Sequence, residues 1–368
     1  MSKVVFILGA GASKTAGAPL MKDFFDRARR FYTNGSVKEF NDDFERVFKA
    51  ISELQAAHSK ASLDVYNLES VFNAFEFAEF LEINKNNFNS ELVSSLKRVI
   101  AATIEQSMVF PVEKSSNKSS QSSHRTYQKF INLIKLSLEN NCKVSLLNFN
   151  YDIAPDFELV KQNIKFDYCL NDQELLDNVI PVLKLHGSLN WRKCSKCKKI
   201  SSFDIKKYFS QNGDPSMTGM NGELIKIGTS PLIYACDYCN NPTENIPFIV
   251  PPSWNKQEHY KMISPVWRRA AKELKEAIAI FICGYSLPQT DQFFHNLYAL
   301  GTMGGNILQS NQVINPDNSG EVENRFKKLI GTGVLERFSY PANNNPDVGT
   351  FDSAIIQIGG WLRQSVWT

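Results

Sequence analysis

A chain of 368 residues, 43% hydrophobic and 21% charged, can bury a large core and has room for two structural units. Its formal net charge of +3 is too mild for the electrostatic footprint of a nucleic-acid binder, and no apolar run approaches the length of a membrane span. Seven cysteines without a secretory leader point to a reducing, cytoplasmic setting, where paired cysteines suggest metal before disulfide.

The first apolar run, Val4 to Leu8, breaks into Gly9-Ala10-Gly11, then Ser13, Gly17 and Pro19. It is too short for a signal peptide and reads as a buried strand. Glycine lets backbone N–H groups crowd an anion, so the loop predicts a phosphate cradle; a tight strand-to-helix turn without a ligand is the alternative. The spacing fits neither the dehydrogenase fingerprint, which would need glycine at Lys14, nor a P-loop, because Lys14-Thr15 precedes Gly17. A helix begins near Pro19. Residues 40–110 read as helical throughout, with Leu68, Val71, Phe72 and Phe75 as a core-facing stripe. "EKSSNKSSQSSH" (113–124) is a low-complexity surface loop, followed by a helix over 125–140 and the strand "KVSLLNFNYD".

That strand ends in Asn150 and Asp152, suited to the carboxyl edge of a parallel sheet, where ligands bind, or to satisfying a turn. "VIPVLKLHG" delivers His186, whose near-neutral pKa suits proton transfer, although a lone histidine is more often structural. "IPFIVPP", "AIAIFICGYS" and "GVLERFSY" are further strands, and "FDSAIIQIGGWLRQ" is a final helix. Gly284, Ser286 and the Asn315 of "VINP" then fall at the same carboxyl edge. Strands interleaved with helices predict an α/β fold, a Rossmann-like parallel sheet with helices on both faces.

Residues 192–245 break this alternation. Cys194-x-x-Cys197 and Cys236-x-x-Cys239 put four thiolates on two tight turns, which closes a tetrahedral zinc site with no open position. Such a site is structural. The segment 192–245 is therefore expected to be a small zinc-binding module, "NGDPSMTGMNGE" being a loop inserted in it. The basic run "WRKCSKCKK" reads as a solvated face, and Cys142, Cys169 and Cys283 as ordinary buried thiols. Residues 1–191 and 246–368 form the expected nucleotide-binding domain, with a helical insertion over about 30–140.

In this order, the Gly-Ala-Gly-Ala-Ser loop, the Asn-x-Asp strand end, the His-Gly ahead of two knuckles, the Gly-x-Ser strand and the Ile-Asn strand resemble the motifs of the sirtuin family. The resemblance runs from about residue 4 to 316, without the helical stretch. It implies that Gly9, Ala10, Gly11 and Ser13 cradle the pyrophosphate of NAD, with Pro19 and Asp23 in the segment that follows. It puts Asn150 and Asp152 against the nicotinamide ribose and carboxamide, His186 near the ribose hydroxyls, and Gly284, Ser286 and Asn315 against the nucleotide's other half. The implied chemistry is cleavage of the nicotinamide–ribose bond, with Asn150 and His186 as catalytic residues.

Departures from the deacylases sharpen this expectation. Leu20-Met21-Lys22 separates Pro19 from Asp23-Phe24, the usual arginine is missing, and Asn148-Phe149 replaces Thr-Gln ahead of Asn150. Pro251 and Pro252 make a poor edge for an added peptide strand. "VPPSWNK" and "NLESVF" are similar to the sirtuin-like proteins of bacterial antiphage systems, which degrade NAD. The expected function is an NAD glycohydrolase acting in abortive infection. An NAD-dependent protein-lysine deacylase and a non-catalytic NAD or ADP-ribose sensor are the alternatives. The expected partners are NAD, further copies of the chain or a HerA-type ATPase, with no membrane and no nucleic acid as direct ligand.

Overall fold

The structure is a computed structural model and describes residues 2–56, 63–83, 91–108, 125–212, 226–229, 235–250, 257–288, 291–341 and 346–367. The low-complexity stretch 113–124, most of "NGDPSMTGMNGE" and the Pro251-Pro252 pair lie outside the described residues.

The strands, in chain order, are β1 (Lys3–Leu8), β2 (Lys143–Asn148), β3 (Phe166–Asp167), β4 (Ile180–Lys184), β5 (Gly187–Cys194), β6 (Ile200–Ser202), β7 (Thr243–Ile249), β8 (Ala279–Cys283), β9 (Ser310–Ile314) and β10 (Phe338–Ser339). The helices are α1 (Ala10–Lys14), α2 (Phe24–Thr33), α3 (Asn41–Ala56), α4 (Leu68–Phe80), α5 (Leu92–Ser107), α6 (Thr126–Glu139) and α7 (Ala154–Lys161). They continue with α8 (Ile205–Asn212), α9 (Gln257–Met262), α10 (Ser264–Glu276), α11 (Gln292–Gly301), α12 (Glu321–Leu329) and α13 (Phe351–Ser365). The chain clusters into two compact units, Met1–Ala16 with Ser116–Leu185 and Ile263–Thr368, and Gly17–Ser115 with His186–Met262.

The first unit holds a seven-stranded, all-parallel sheet in the order β10-β9-β8-β1-β2-β4-β3. A parallel sheet with both faces covered needs strands apolar on both sides. β1 (KVVFIL) and β8 (AIFIC) meet that demand and are buried at every position. Phe6 of β1 stacks on Phe281 of β8 and meets Phe130 of α6 edge-on. α6 packs on β2 and on α13, while α10 packs on β1, β4 and α11, so both faces carry helices. The one lysine of β1, Lys3, is tied by ion pairs to Glu273 and Glu276 of α10. From β1 the chain moves to β2 on one side, and from β8 to β9 on the other, so the winding switches between β1 and β8.

Two predicted strands differ. "GVLERFSY" folds as a 3-10 turn over Thr332–Arg337 and only two residues of β10, because Leu335 is exposed and the run has no face to bury. "IPFIVPP" leaves the parallel sheet altogether and forms β7, antiparallel to β5.

The second unit combines the helices α2–α5 with a three-stranded antiparallel sheet, order β6-β5-β7. The helical stretch is not continuous. Asn67 caps α4 by accepting from Glu69 N at 2.8 Å, and Glu82, at φ +53°, ends the turn that follows it. Gly187 opens β5 at φ +81°, where a side chain would strike the Phe248 carbonyl. α5 is bound to the sheet by a buried device. Glu105 accepts from Gly228 N (2.5 Å), Thr229 N (3.1 Å) and Thr229 Oγ1 (2.6 Å). The Arg192 guanidinium, fully buried, donates to the carbonyls of Ile227 (3.0 Å) and Gly228 (2.8 Å) from the other side. No helix among the described residues is long and apolar enough to cross a membrane.

Burial raises the Glu105 carboxyl to about 7, only partly offset by the hydrogen bonds from Thr229 and Gly228 and by the Arg192 charge. A carboxyl raised on folding binds more protons in the native state, so its contribution to stability is present at low pH and is lost as pH rises toward 7. We expect this group alone to make the protein about 2 kcal/mol less stable at pH 8 than at pH 5, with Glu105→Gln removing that slope. Urea midpoints at the two pH values check it.

Candidate functional site

The site begins with backbone contact. Gly9 N donates to Cys283 O at 3.0 Å and Gly11 N to Gly284 O at 2.9 Å, drawing the end of β1 against the end of β8. A Cβ on Gly9 would sit 2.5 Å from Tyr285 Cα, and one on Gly11 2.8 Å from Gly284 Cα. Gly284 itself, at φ +65°, would strike the backbone N of Ala12. The glycines are thus required by the chain's own packing. Within the predicted loop, Ala10–Lys14 forms the short helix α1, with Gly9 as its N-cap.

α1 turns Ser13 inward, to the carboxyl end of β2. There the Asn150 carboxamide donates from Nδ2 to Gly9 O (2.9 Å) and to Ser13 Oγ (2.8 Å), while its backbone N donates to Asn148 Oδ1 at 2.9 Å. Asn150 is 8% exposed, and its Oδ1 accepts no hydrogen bond among the described residues. Asp152 is buried two residues on. It accepts from Ala154 N at 3.0 Å. Burial pushes its carboxyl up, against the lowering pull of Lys184, of the Ser13 hydroxyl and of Ala154 N.

Beneath this loop lies an ion pair with no exposure at either end, Lys184 Nζ to Asp156 Oδ2 at 3.2 Å. Lys184 also donates to the Asp152 carbonyl, and Tyr168 OH donates to Asp156 Oδ1 at 2.7 Å. The strand end carrying Asn150 and Asp152 is therefore held from below by a fully partnered buried charge. On the β8–β9 side, Asn315 Nδ2 donates to Tyr285 O at 3.4 Å, and its Oδ1 accepts from Asp317 N at 3.0 Å. Ser286 is exposed. The Tyr285 ring stacks on Phe149 with centroids 4.4 Å apart, and its hydroxyl donates to Asp291 at 2.6 Å.

Gly9, Ala10, Gly11, Ser13, Asn150, Asp152, Gly284, Ser286 and Asn315 thus lie at the carboxyl ends of β1, β2, β8 and β9, in the first unit. Pro19, Asp23 and His186 belong to the second unit. His186 is buried ahead of β5, its carbonyl accepting from Val250 N at 2.8 Å. Asp23 is half-buried between the Leu20 turn and α2, with no partner for Oδ1 among the described residues. Three residues escaped the sequence reading. Tyr127 of α6, whose hydroxyl lies 2.9 Å from Ser13 Oγ, carries no motif; Lys184 and Asp156 look like ordinary alternation on a strand and a helix.

The four knuckle cysteines come together. Their sulfurs lie within 4.8 Å of one another, with Cys194–Cys239 at 3.5 Å and Cys197–Cys236 at 3.6 Å, and none is in a disulfide. Tetrahedral zinc with Zn–S bonds of about 2.3 Å needs sulfurs about 3.8 Å apart, so the donor set fits zinc in a closed, structural site. The two turns repeat one geometry. Lys198 N donates to Cys194 O and Asn240 N to Cys236 O, with Lys198 at φ +62° and Asn240 at φ +55°.

Two outcomes follow from this geometry. Purified protein should carry one zinc per chain, and Cys239→Ser should lower both the metal content and the melting temperature. Lys184→Met should cost about 3–5 kcal/mol in urea unfolding by stranding the Asp156 charge, and adding Asp156→Asn should restore part of it.

No family model matches the chain, and no curated protein matches it. Among solved structures, it is similar to a mutant Sir2 homologue in complex with 2'-O-acetyl ADP ribose, at 16% identity over 99% of this chain and 94% of that one, with a TM-score of 0.45. It is similar to Sir2Tm bound to a propionylated peptide at 14% identity, over 98% of this chain and 93% of that one, with a TM-score of 0.39. For a Sir2–p53 peptide–NAD+ structure the identity is 12%, over 97% of this chain and 93% of that one, with a TM-score of 0.36.

Proposed function

We propose that the chain binds NAD at the carboxyl edge of its parallel sheet and hydrolyses it to nicotinamide and ADP-ribose. The observation that carries this reading is the Asn150 carboxamide. It is a buried group beside the winding switch, with both N–H bonds used internally and its oxygen left as an acceptor. A water held by that oxygen is oriented for attack on the ribose C1'. The bond from C1' to the nicotinamide nitrogen breaks with its electron pair moving to the ring. The departing base is already cationic and leaves neutral, so no general acid is required. The water oxygen bonds to C1' and gives up its proton, a role the sirtuin resemblance assigns to His186.

By the same resemblance, Ala10, Gly11, Gly284, Ser286 and Asn315 contact the dinucleotide, and Asp152 faces the nicotinamide half. The polar side chains at four neighbouring strand ends support that assignment. A second reading, NAD-dependent deacylation of protein lysine, is favoured by the four-cysteine module. The setting we propose is cytoplasmic NAD depletion in antiphage defence, with activity restrained through self-assembly or a HerA-type ATPase. Phe77, Phe80 and Leu81 stay exposed at the end of α4, which supports an interaction surface in the helical stretch.

Incubation of the purified chain with NAD alone should release nicotinamide and ADP-ribose in equal amounts, and Asn150→Ala should slow release about 100-fold or more. His186→Ala should do likewise. Turnover only after an acetylated peptide is added would establish the deacylase instead.

A further inference from the structure

Ser13 links two buried groups. Its Oγ meets Tyr127 OH at 2.9 Å and accepts from Asn150 Nδ2 at 2.8 Å. A serine hydroxyl has one proton to give and two lone pairs to receive. Asn150 Nδ2 can only donate, so it takes one lone pair, and the Tyr127 hydroxyl meets either the other lone pair or the Ser13 proton.

This count has a consequence for Asn150. Nδ2 is committed to Gly9 O and to Ser13 Oγ, so the carboxamide stands with its nitrogen inward and its oxygen outward. That arrangement holds only while Ser13 keeps its rotamer. A buried hydroxyl short of a partner is costly, and a serine freed of its second partner can turn away. Tyr127 is a rigid second partner. It is 3% exposed, its ring packs edge-on against Phe351 and Phe130, and the adjacent Thr126 hydroxyl is bonded to Asp352 of α13 at 2.5 Å.

We propose that Tyr127 is a positioning residue: its hydroxyl locks Ser13, and through Ser13 it holds the Asn150 carboxamide with its oxygen presented to the attacking water. This inference rests on the NAD-cleaving reading, and its test separates the two. The variant is Tyr127→Phe, which keeps the ring packing and removes only the hydroxyl.

The first measurement is hydrogen exchange of the Asn150 side-chain amide by NMR, with no nucleotide present. Exchange about tenfold or more faster in Tyr127→Phe, and comparably faster in Ser13→Ala, is expected. Unchanged exchange in Tyr127→Phe overturns the role, whatever the protein does to NAD. The second measurement is NAD turnover, with kcat expected to fall about tenfold while KM stays within about twofold, since alignment rather than binding is lost. An unchanged kcat, or a loss confined to KM, also overturns it. Absence of wild-type turnover, both with NAD alone and with a HerA-type ATPase added, overturns the NAD reading, and the exchange measurement then decides the role of Tyr127 alone. Should Tyr127→Phe fail to fold, exchange in Tyr127→Leu decides by the same criterion, because that variant also removes the hydroxyl and leaves Ser13 in place.

Discussion

Bare backbone against bare backbone, where β1 ends on β8, is the contact on which the remainder of the first unit depends. Gly9 N reaches Cys283 O, Gly11 N reaches Gly284 O, and Gly284 N reaches Ile314 O, so three neighbouring strand ends are laced in sequence. Any Cβ at these glycines would force the strands apart. Because the chain can turn there within two residues, α1 starts at Ala10 and brings Ser13 inward. Moving that turn by one residue would point Ser13 elsewhere and break its bond to Asn150.

The polar edge is expensive to desolvate, and the way its charges are handled explains its rigidity. Lys184 and Asp156 are fully buried, yet Lys184 also finds the Asp152 carbonyl and Asp156 the Tyr168 hydroxyl. Such a pair contributes little net stability compared with an apolar replacement, but it fixes geometry firmly. Here it fixes the strand end from which Asn150 and Asp152 emerge. Preorganisation of this kind suits a reaction whose difficulty lies in aligning a nucleophile rather than in activating a leaving group.

The central strands were legible in the residues themselves. β1, β2 and β8 are largely apolar runs followed by small or polar residues, as strands buried on both faces must be, whereas β9 shows only Val313 and Ile314 ahead of Asn315. The knuckles were legible through spacing alone. What failed did so for physical reasons. Glycines at 9 and 11 predict close backbone approach but not every partner to it, and one crowding neighbour lies more than 270 positions away in sequence, at Gly284 and Tyr285. "IPFIVPP" has the composition of any buried strand, and only its pairing with β5 assigns it to the small sheet. Tyr127 lies 114 positions from Ser13, on a helix whose pattern says only that the residue is buried.

The clamp between α5 and the small sheet also bears on the order in which the chain matures. Glu105 and Gly228 are 123 positions apart, so their bonds close a long loop, and the first cysteine pair leaves the ribosome well before the second. Until Cys236 and Cys239 emerge, the nascent chain offers only half a metal site, while α5 presents a carboxylate with no backbone to grip. Both closures therefore fall late, and together, in synthesis. A ribosome paused before residue 228 would display the α5 acceptor and a lone knuckle to any chaperone or metal donor.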